Sequence, residues 1–367
     1  MSAPLREARI DAGAIRANAA LLRRRIPTPH AMAIVKADGY GHGAVTAARA
    51  ALEGGADHLG VADLDEAFEL RAAGIDAPVL AWLLDPAFDA AAAAEAGITL
   101  GISARHQLAR AAASGHRVAV HVKVDTGLSR NGVAEGEWAP FVDELAAAQH
   151  AGGIELHGVF SHLSNTSPDD DRAQVVAFER FLDALRSVGL DPGIRHLAAS
   201  AAALDHPAAH YDMVRSGIAL YGIAPERHLR GALPLRPAMR LSAQVVGVKR
   251  VPAGAGVSYG FLHRTTAPTT LALVPLGYAD GVPRAAVDAP VVIGGRRHRV
   301  VGRIAMDQFV VDVGDAPVAV GDEAVLWGDP TAGEPGVDEW ADAAGTIAYE
   351  LVTRLGRRVH RTTRAAP

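Results

Sequence analysis

In the stretch AIVKADGYGHGA, residues 33 to 44, a single lysine, Lys36, closes a short apolar run and is followed at once by glycines, a tyrosine and a histidine. A lone lysine at a strand end more often snorkels to solvent or pairs with an acid. Where its charge is desolvated, however, the amine form is favoured, and an uncharged amine can form a Schiff base with an aldehyde such as pyridoxal 5′-phosphate. Such a cofactor also carries a phosphate, which calls for close backbone N–H groups and small residues. Two later stretches supply them. LAASAAA offers the Ser200 hydroxyl, and RSGIALYG offers the N–H groups of Ser216, Gly217 and Ile218, with Gly217 permitting close approach. Alanine and glycine are abundant throughout the chain, so the small residues alone say little. The pairing of the lysine with two such loops says more.

Those groups must be positioned by elements that repeat. Eight short apolar runs, at residues 30–36, 57–63, 77–83, 97–103, 117–125, 154–162, 194–200 and 212–220, alternate with alanine-rich segments. Segments such as DLDEAFELRAAG and AQVVAFERFLDALRSVG place apolar residues at helical spacing with a glycine just past the end. Eight strand-then-helix units predict an α/β fold with a TIM-type (β/α)8 barrel. In that barrel catalytic groups sit at the C-terminal strand ends, where Lys36 falls after the first strand. Phosphate commonly sits after strands seven and eight, where Ser200 and Gly217 fall. An open doubly wound sheet would carry a GxGxxG loop after its first strand, and this chain has none there.

From about residue 230 the texture changes. The Pro- and Gly-containing RGALPLRPAMR reads as a linker, and the runs RLSAQVVGVKRV, TTLALVP, PVVIGGRRHRVV, QFVVDV and EAVLWG alternate apolar and polar residues. The expected division is a barrel over 11–230 and a β-rich domain over 231–367, joined by an N-terminal strand from residues 1–10. A helix is expected to start near Asp11.

The composition excludes several classes. With 49% apolar and 21% charged residues, the 367-residue chain can build cores. A formal charge of −5 gathers neither nucleic acid nor anionic lipid, and the clusters LLRRR and GGRRHR read as solvated faces. No apolar run has the length of a signal peptide or a membrane helix, so a soluble, cytoplasmic protein is expected. The absence of cysteine rules out disulfides and thiolate chemistry. No metal is expected in the site. A sugar-processing barrel would need paired carboxylates at its strand ends, where this chain has Lys36, Lys123, His162 and Ser200.

Nine segments, AIVKADGYGHGA, VDTGLSRNG, GVFSHLSNTS, HLAASAA, VRSGIALYG, VSYGFLHRT, LGYADGVPR, VGRIAMDQF and TIAYELVTRLG, resemble the alanine racemases in the same order across nearly the whole chain. The resemblance implies a pyridoxal 5′-phosphate barrel joined to a C-terminal β domain, a head-to-tail homodimer with shared sites, and interconversion of L- and D-alanine for bacterial cell-wall synthesis. Two readings stand beside it: a broader-specificity racemase of the same fold, and a noncatalytic pyridoxal-phosphate barrel protein. Chains of the latter kind stop after the barrel.

The same resemblance implies residue roles. Lys36 holds the cofactor and serves the D isomer, while Tyr259, from the other subunit, serves the L isomer. His162 and Arg215 extend a hydrogen-bonded chain from that tyrosine. Arg215 can only donate to the ring nitrogen, so the nitrogen stays unprotonated and the electron sink is weaker. Barrel decarboxylases of basic amino acids, which are similar, place a glutamate there and use a partner-subunit cysteine. Arg130 is expected on the cofactor's phenolic oxygen and the substrate carboxylate, with Lys123, a position often carbamylated in relatives, beside it. Tyr40 and Tyr349 are expected at the phosphate, Trp82 among the cofactor contacts, Tyr278 at the entrance, and the N–H of Met306 on the carboxylate. His42 is given a structural role, and the acidic run PDDD reads as a solvated helix start. The chain departs from many relatives at Ala199, where they have asparagine, and from a common variant at Ala305, where it has cysteine.

Overall fold

The computed structural model describes residues 4–364; residues 1–3 of the expected N-terminal strand and 365–367 of the expected second domain lie outside them. Strand β1 is Arg6–Asp11. Eight parallel strands then follow: β2 (His30–Ile34), β3 (His58–Val61), β4 (Val79–Ala81), β5 (Ile98–Ile102), β6 (Val118–Lys123), β7 (Ile154–Phe160), β8 (Ile194–His196) and β9 (Met213–Ser216). All eight predicted runs contain one. Their order is β8-β7-β6-β5-β4-β3-β2-β9. The remaining seam closes where Asp212 N donates to Arg195 O and Arg215 N to Ala198 O, both at 3.1 Å. This is a (β/α)8 barrel, as expected.

The strands stop short of the predicted runs. The tails of those runs leave the barrel as loops, so Lys36, Trp82, His162, Ser200 and Ile218 all emerge just past strand ends at one mouth. The outer helices begin where the sequence supplies caps. Asp11 accepts from Ala14 N at 2.9 Å to start the helix Ala12–Arg25, and Ser167 accepts from Asp170 N at 3.1 Å to start Pro168–Ser187, the acidic run lying in its first turn. Each such cap is worth about 1 kcal/mol. Alanine-rich faces let helices approach closely: a Cβ on Gly54 would lie 2.5 Å from Ala19 Cβ.

The second sheet comprises β1 with β10 (Met239–Gln244), β11 (Gly247–Val251), β14 (Thr269–Val274), β15 (Pro290–Ile293), β16 (Arg296–Val301), β17 (Phe309–Gly314), β18 (Glu323–Trp327) and β19 (His360–Arg364). A small hairpin of β12 (Gly256–Val257) and β13 (His263–Arg264) stands apart. β1 runs antiparallel to β10 and parallel to β19, so the N-terminal strand belongs to this sheet and not to the barrel. The alternation read in the sequence fits a sheet with one buried face: β17 buries Phe309, Val311 and Val313. Phe309, Trp327 and Trp340 anchor the core beneath it. No helix among the described residues is long and apolar enough to cross a membrane.

Candidate active site

Strand parity determines what faces the barrel axis. Side chains alternate along a strand, so Lys123 and His121 share a face of β6, as do Met213 and Arg215 of β9. Gly158 of β7 is small for a reason visible here: a Cβ on it would sit 2.7 Å from His121 Cε1. At the C-terminal mouth Lys123 and Arg215 meet the loop residues in one cavity of about 580 Å³. Its walls include Lys36, Trp82, Lys123, Arg130, His162 and Arg215, and Ser200, Gly217, Ile218, Tyr40 and Tyr349 also line it.

Lys36 does not end β2, as the sequence suggested. The strand stops at Ile34, and Lys36 opens a tight turn in which Ala37, Asp38, Gly39 and Tyr40 all lie in the left-handed region, at φ of 51°, 51°, 60° and 53°. Left-handed geometry costs about 1–2 kcal/mol for each non-glycine residue, so the turn must be held from outside. Glu66 accepts from Ala37 N and Ala62 N, Asp38 accepts from Ala44 N at 3.0 Å, and the His42 ring donates Nδ1–H to the carbonyls of Gly39 and Tyr40 at 3.0 and 2.9 Å. His42 is buried and stacks on Tyr221 at 4.5 Å, and burial lowers its pKa to about 4, so it serves as a neutral strut. Gly41, at φ 79°, has no room for a side chain: a Cβ would lie 2.1 Å from Val352 O. That contact brings the turn against the helix Ala348–Thr353, which carries Tyr349.

The cavity is strongly cationic. Burial lowers the Lys36 pKa, Arg130 lowers it further, and Glu66 opposes both. Lys36 Nζ lies over the Trp82 ring, 5.8 Å from its centroid. Lys123 falls to about 8 through burial and then through Arg215, Arg130 and Lys36, with Asp125 opposing. Arg130 is set by a loop in which the Asp125 carboxylate accepts from Gly127 N and Ser129 N, both at 3.0 Å.

Arg215 is buried and touches no carboxylate. Its Nη1 donates to His196 Nδ1 at 3.1 Å and to His196 O at 2.8 Å; Nη2 donates to Ser161 O at 2.7 Å, Leu197 O at 2.9 Å and His162 Nδ1 at 3.1 Å. Burial lowers its pKa, but a guanidinium keeps its proton in proteins. Both histidines must therefore accept through Nδ1 and carry their proton on Nε2. His196 passes that donation on to His121 Nδ1 at 2.8 Å. Burial, followed for His162 by Arg215, lowers both His162 and His121 to about 3, which agrees with neutral rings. The Nε–H of Arg215 makes no hydrogen bond among the described residues. At the far end Gly217 N donates to Ser200 Oγ at 2.9 Å, and a Cβ on Gly217 would lie 2.7 Å from Tyr40 Oη. Ala199 lines the cavity and caps the helix Ser200–Asp205 without a side-chain hydrogen bond, where asparagine could have made one.

Three expected residues are elsewhere. Tyr259 lies in a short 3-10 turn between β12 and β13, 71% exposed; Met306 is 53% exposed, and Tyr278 is exposed as well. None of them lines the Lys36 cavity. They converge on one face of the second domain, where Tyr278 N and Ala279 N donate to the carbonyls of Ala305 and Met306, and Ser258 Oγ donates to Arg303 O. Asp280 fixes this face. Fully buried, it accepts from Gly277 N and from Arg358 at 2.8 and 3.0 Å, and Arg358 also holds Asp307. The sequence reading missed His196 and His121. Their signal was parity, since His121 shares the Lys123 side of VAVHVK.

A family model described as the alanine racemase N-terminal domain matches residues 10–225, and one described as the C-terminal domain matches residues 238–363. The alanine racemase of Thermobifida fusca (strain YX) is 52% identical over 363 residues, covering 97% of each chain. Among solved structures, the alanine racemase of D-cycloserine-producing Streptomyces lavendulae superposes with a TM-score of 0.96 at 46% identity, covering 100% of this chain and 99% of that one. The alanine racemase of Bacillus anthracis, solved with bound L-Ala-P, superposes at 0.90 with 32% identity over 100% and 96% of the two chains. Barrel, cationic pocket, second sheet and full-length similarity together place this chain in the alanine racemase family.

Proposed function

We propose that the protein interconverts L- and D-alanine, supplying the D isomer for the bacterial cell wall, with Lys36 and Tyr259 as acid–base groups on opposite faces of the substrate. Alanine racemases depend on pyridoxal 5′-phosphate, which when bound supplies an electron sink for the charge left as the α-hydrogen departs. The cavity residues fit that group. Lys36, with a lowered pKa, offers an amine; Ser200, Gly217, Ile218, Tyr40 and Tyr349 form a small-residue, hydroxyl-lined end suited to a phosphate; Trp82 adds an aromatic wall. The unengaged Nε–H of Arg215 is the donor left for a ring nitrogen. Because a guanidinium cannot give up a proton, that nitrogen stays unprotonated and side reactions needing a stronger sink are held back.

Lys36 exchanges a proton on one face of the α-carbon. On the other face a tyrosine must act, and a free phenol at pKa about 10 is a poor base at neutral pH. His162 meets this need. Its Nδ1 is occupied by Arg215, so its Nε2–H is a donor backed by a cation, able to stabilise a phenolate. Arg130 and the N–H of Met306 hold the substrate carboxylate, Tyr278 narrows the entrance, and the amine of Lys123, favoured by its lowered pKa, is the form that carbon dioxide carbamylates beside Arg130.

One observation carries the shared-site reading: Lys36 and Arg215 line a cavity that Tyr259, Tyr278 and Met306 of the same chain do not reach, while those three stand exposed together. A C2 homodimer that joins one barrel to the partner's β domain completes the site, with the chain divided near residues 230 and 231. Mixing Lys36→Ala and Tyr259→Ala proteins, each inactive alone, tests this. Random pairing makes half of the dimers mixed, each with one intact site of two, so activity should return to roughly a quarter of wild type. Lys36→Ala mixed with Arg215→Ala, both barrel variants, should recover nothing. No recovery in the first mixture, with subunit exchange demonstrated, rejects the shared site.

A further inference from the structure

The opposite mouth of the barrel holds a second cluster. His30 opens β2, His58 opens β3, and Asp57 immediately precedes His58. His30 Nδ1 lies 3.0 Å from Asp57 Oδ2, and His58 Nδ1 lies 2.9 Å from Asp57 Oδ1. One ligating atom from each of the three residues falls within 4.8 Å of the others, the only such histidine–acid group among the described residues. We infer that His30, Asp57 and His58 form a binding site for a divalent transition-metal cation, zinc by preference, at the N-terminal mouth of the barrel.

The geometry is close to what such an ion needs. Tetrahedral zinc with nitrogen and oxygen ligands at about 2.1 Å sets ligand atoms about 3.3 Å apart, so each N···O pair opens by a few tenths of an ångström while the two imidazole nitrogens, within 4.8 Å of each other, draw together. The two imidazoles now point Nδ1 at one carboxylate. A cation entering between them takes the place of the two bridging protons, which move to Nε2, so the rings stay neutral. The backbone holds the ligands in place: Asp57 N donates to Ala31 O at 3.0 Å, Ala31 N donates to Asp57 Oδ1 at 2.9 Å, and His30 N donates to Asp212 O at 2.9 Å. Arg195, in the same cleft as His30, is tied up elsewhere in a two-pronged pair with Asp212 at 2.7 and 2.9 Å. All three ligands are only partly buried, so the ion can enter from solvent and complete its shell with water. Two nitrogens and one oxygen suit zinc or cobalt better than magnesium or calcium, which prefer all-oxygen shells.

Tag-free holoenzyme is equilibrated with zinc chloride, and bound zinc is counted per chain by elemental analysis after dialysis. The expected result is one saturable zinc per chain and a higher thermal unfolding midpoint. His58→Ala and His30→Gln should each weaken binding about tenfold or more and abolish the thermal shift. Both should keep the cofactor's absorbance and the racemase activity, because the Lys36 cavity is at the other mouth; retained absorbance also shows that each variant is folded. No saturable uptake by the wild type, or uptake that survives both substitutions in folded protein, overturns the inference.

Discussion

Acid should unfold this protein earlier than its carboxylates alone would require. His42, His121 and His162 are held neutral in the fold, with pKa values lowered by burial to about 4, 3 and 3, whereas unfolded each titrates near 6.5. Unfolding therefore takes up protons in the window from about pH 6.5 down to the folded values. Their stabilisation is fully present above about pH 6.5 and is lost as pH falls. At pH 5 each unfolded imidazole is almost fully charged and each folded one is not, a difference worth about 2 kcal/mol per histidine. The three together remove about 6 kcal/mol between pH 7.5 and pH 5, against a typical total of about 5–15 kcal/mol. His196, lowered by burial and by its neighbour His121, acts in the same direction. The low-pKa carboxylates Asp57, Asp212 and Glu323 lose their stabilisation mostly below about pH 5, beneath this window. The assay is urea unfolding followed by circular dichroism at several pH values, with protein and cofactor concentrations fixed, since both bear on apparent stability. The expected slope near pH 5 is about 4 kcal/mol per pH unit, from about three protons. A total loss under about 2 kcal/mol would mean that these rings accept protons inside the fold. The neutral Nδ1 acceptors assigned beneath Arg215 would then fall with it.

Lys36→Ala should abolish both racemisation and the near-visible absorbance of the lysine-bound cofactor; an unchanged spectrum places that bond on another residue. Tyr259→Ala should suppress exchange of the α-hydrogen with solvent deuterium far more from L-alanine than from D-alanine, and equal suppression counts against two bases on two faces. His196→Leu removes one acceptor of the Arg215 guanidinium while leaving its carbonyl partners, and should lower unfolding stability by about 1–3 kcal/mol and shift the cofactor absorbance. A variant as stable as wild type would show that the His196 ring does not hold Arg215.

The barrel was legible because its signal is local. Each strand is a short apolar run, each helix has apolar spacing, and several start on a capping Asp or Ser, so all eight strands could be placed before their pairing was known. Strand ends were overestimated because apolar residues continue past the last ladder bond: Val35 is buried, yet it lies outside β2. The left-handed turn after it was not legible. Nothing in KADGYG compels four consecutive positions, Ala37 to Tyr40, into that region. The conformation is held by Glu66 and the Val352 carbonyl, which arrive from elsewhere in the chain, and by the His42 ring folding back on the turn. The hairpin that presents Tyr259 has two-residue strands, too short for any alternation to show.

The relation between the two halves of the site was harder still, because it rests on what a single chain does not bring together. Period two predicts that Lys123, His121 and Arg215 face inward; Lys123 and Arg215 line the cavity with Lys36, and His121 joins Arg215 through His196. Period two says nothing about Tyr259, which sits on a turn, and only similarity to the racemases singled it out. In the proposed reaction Lys36, on the cavity wall, is the proton-accepting group on one face of the substrate. Removing a hydrogen from one face and returning it to the other requires a second such group. In the proposed dimer the exposed Tyr259 of the partner subunit supplies that group, and the His162 Nε2–H, backed by Arg215, is its donor.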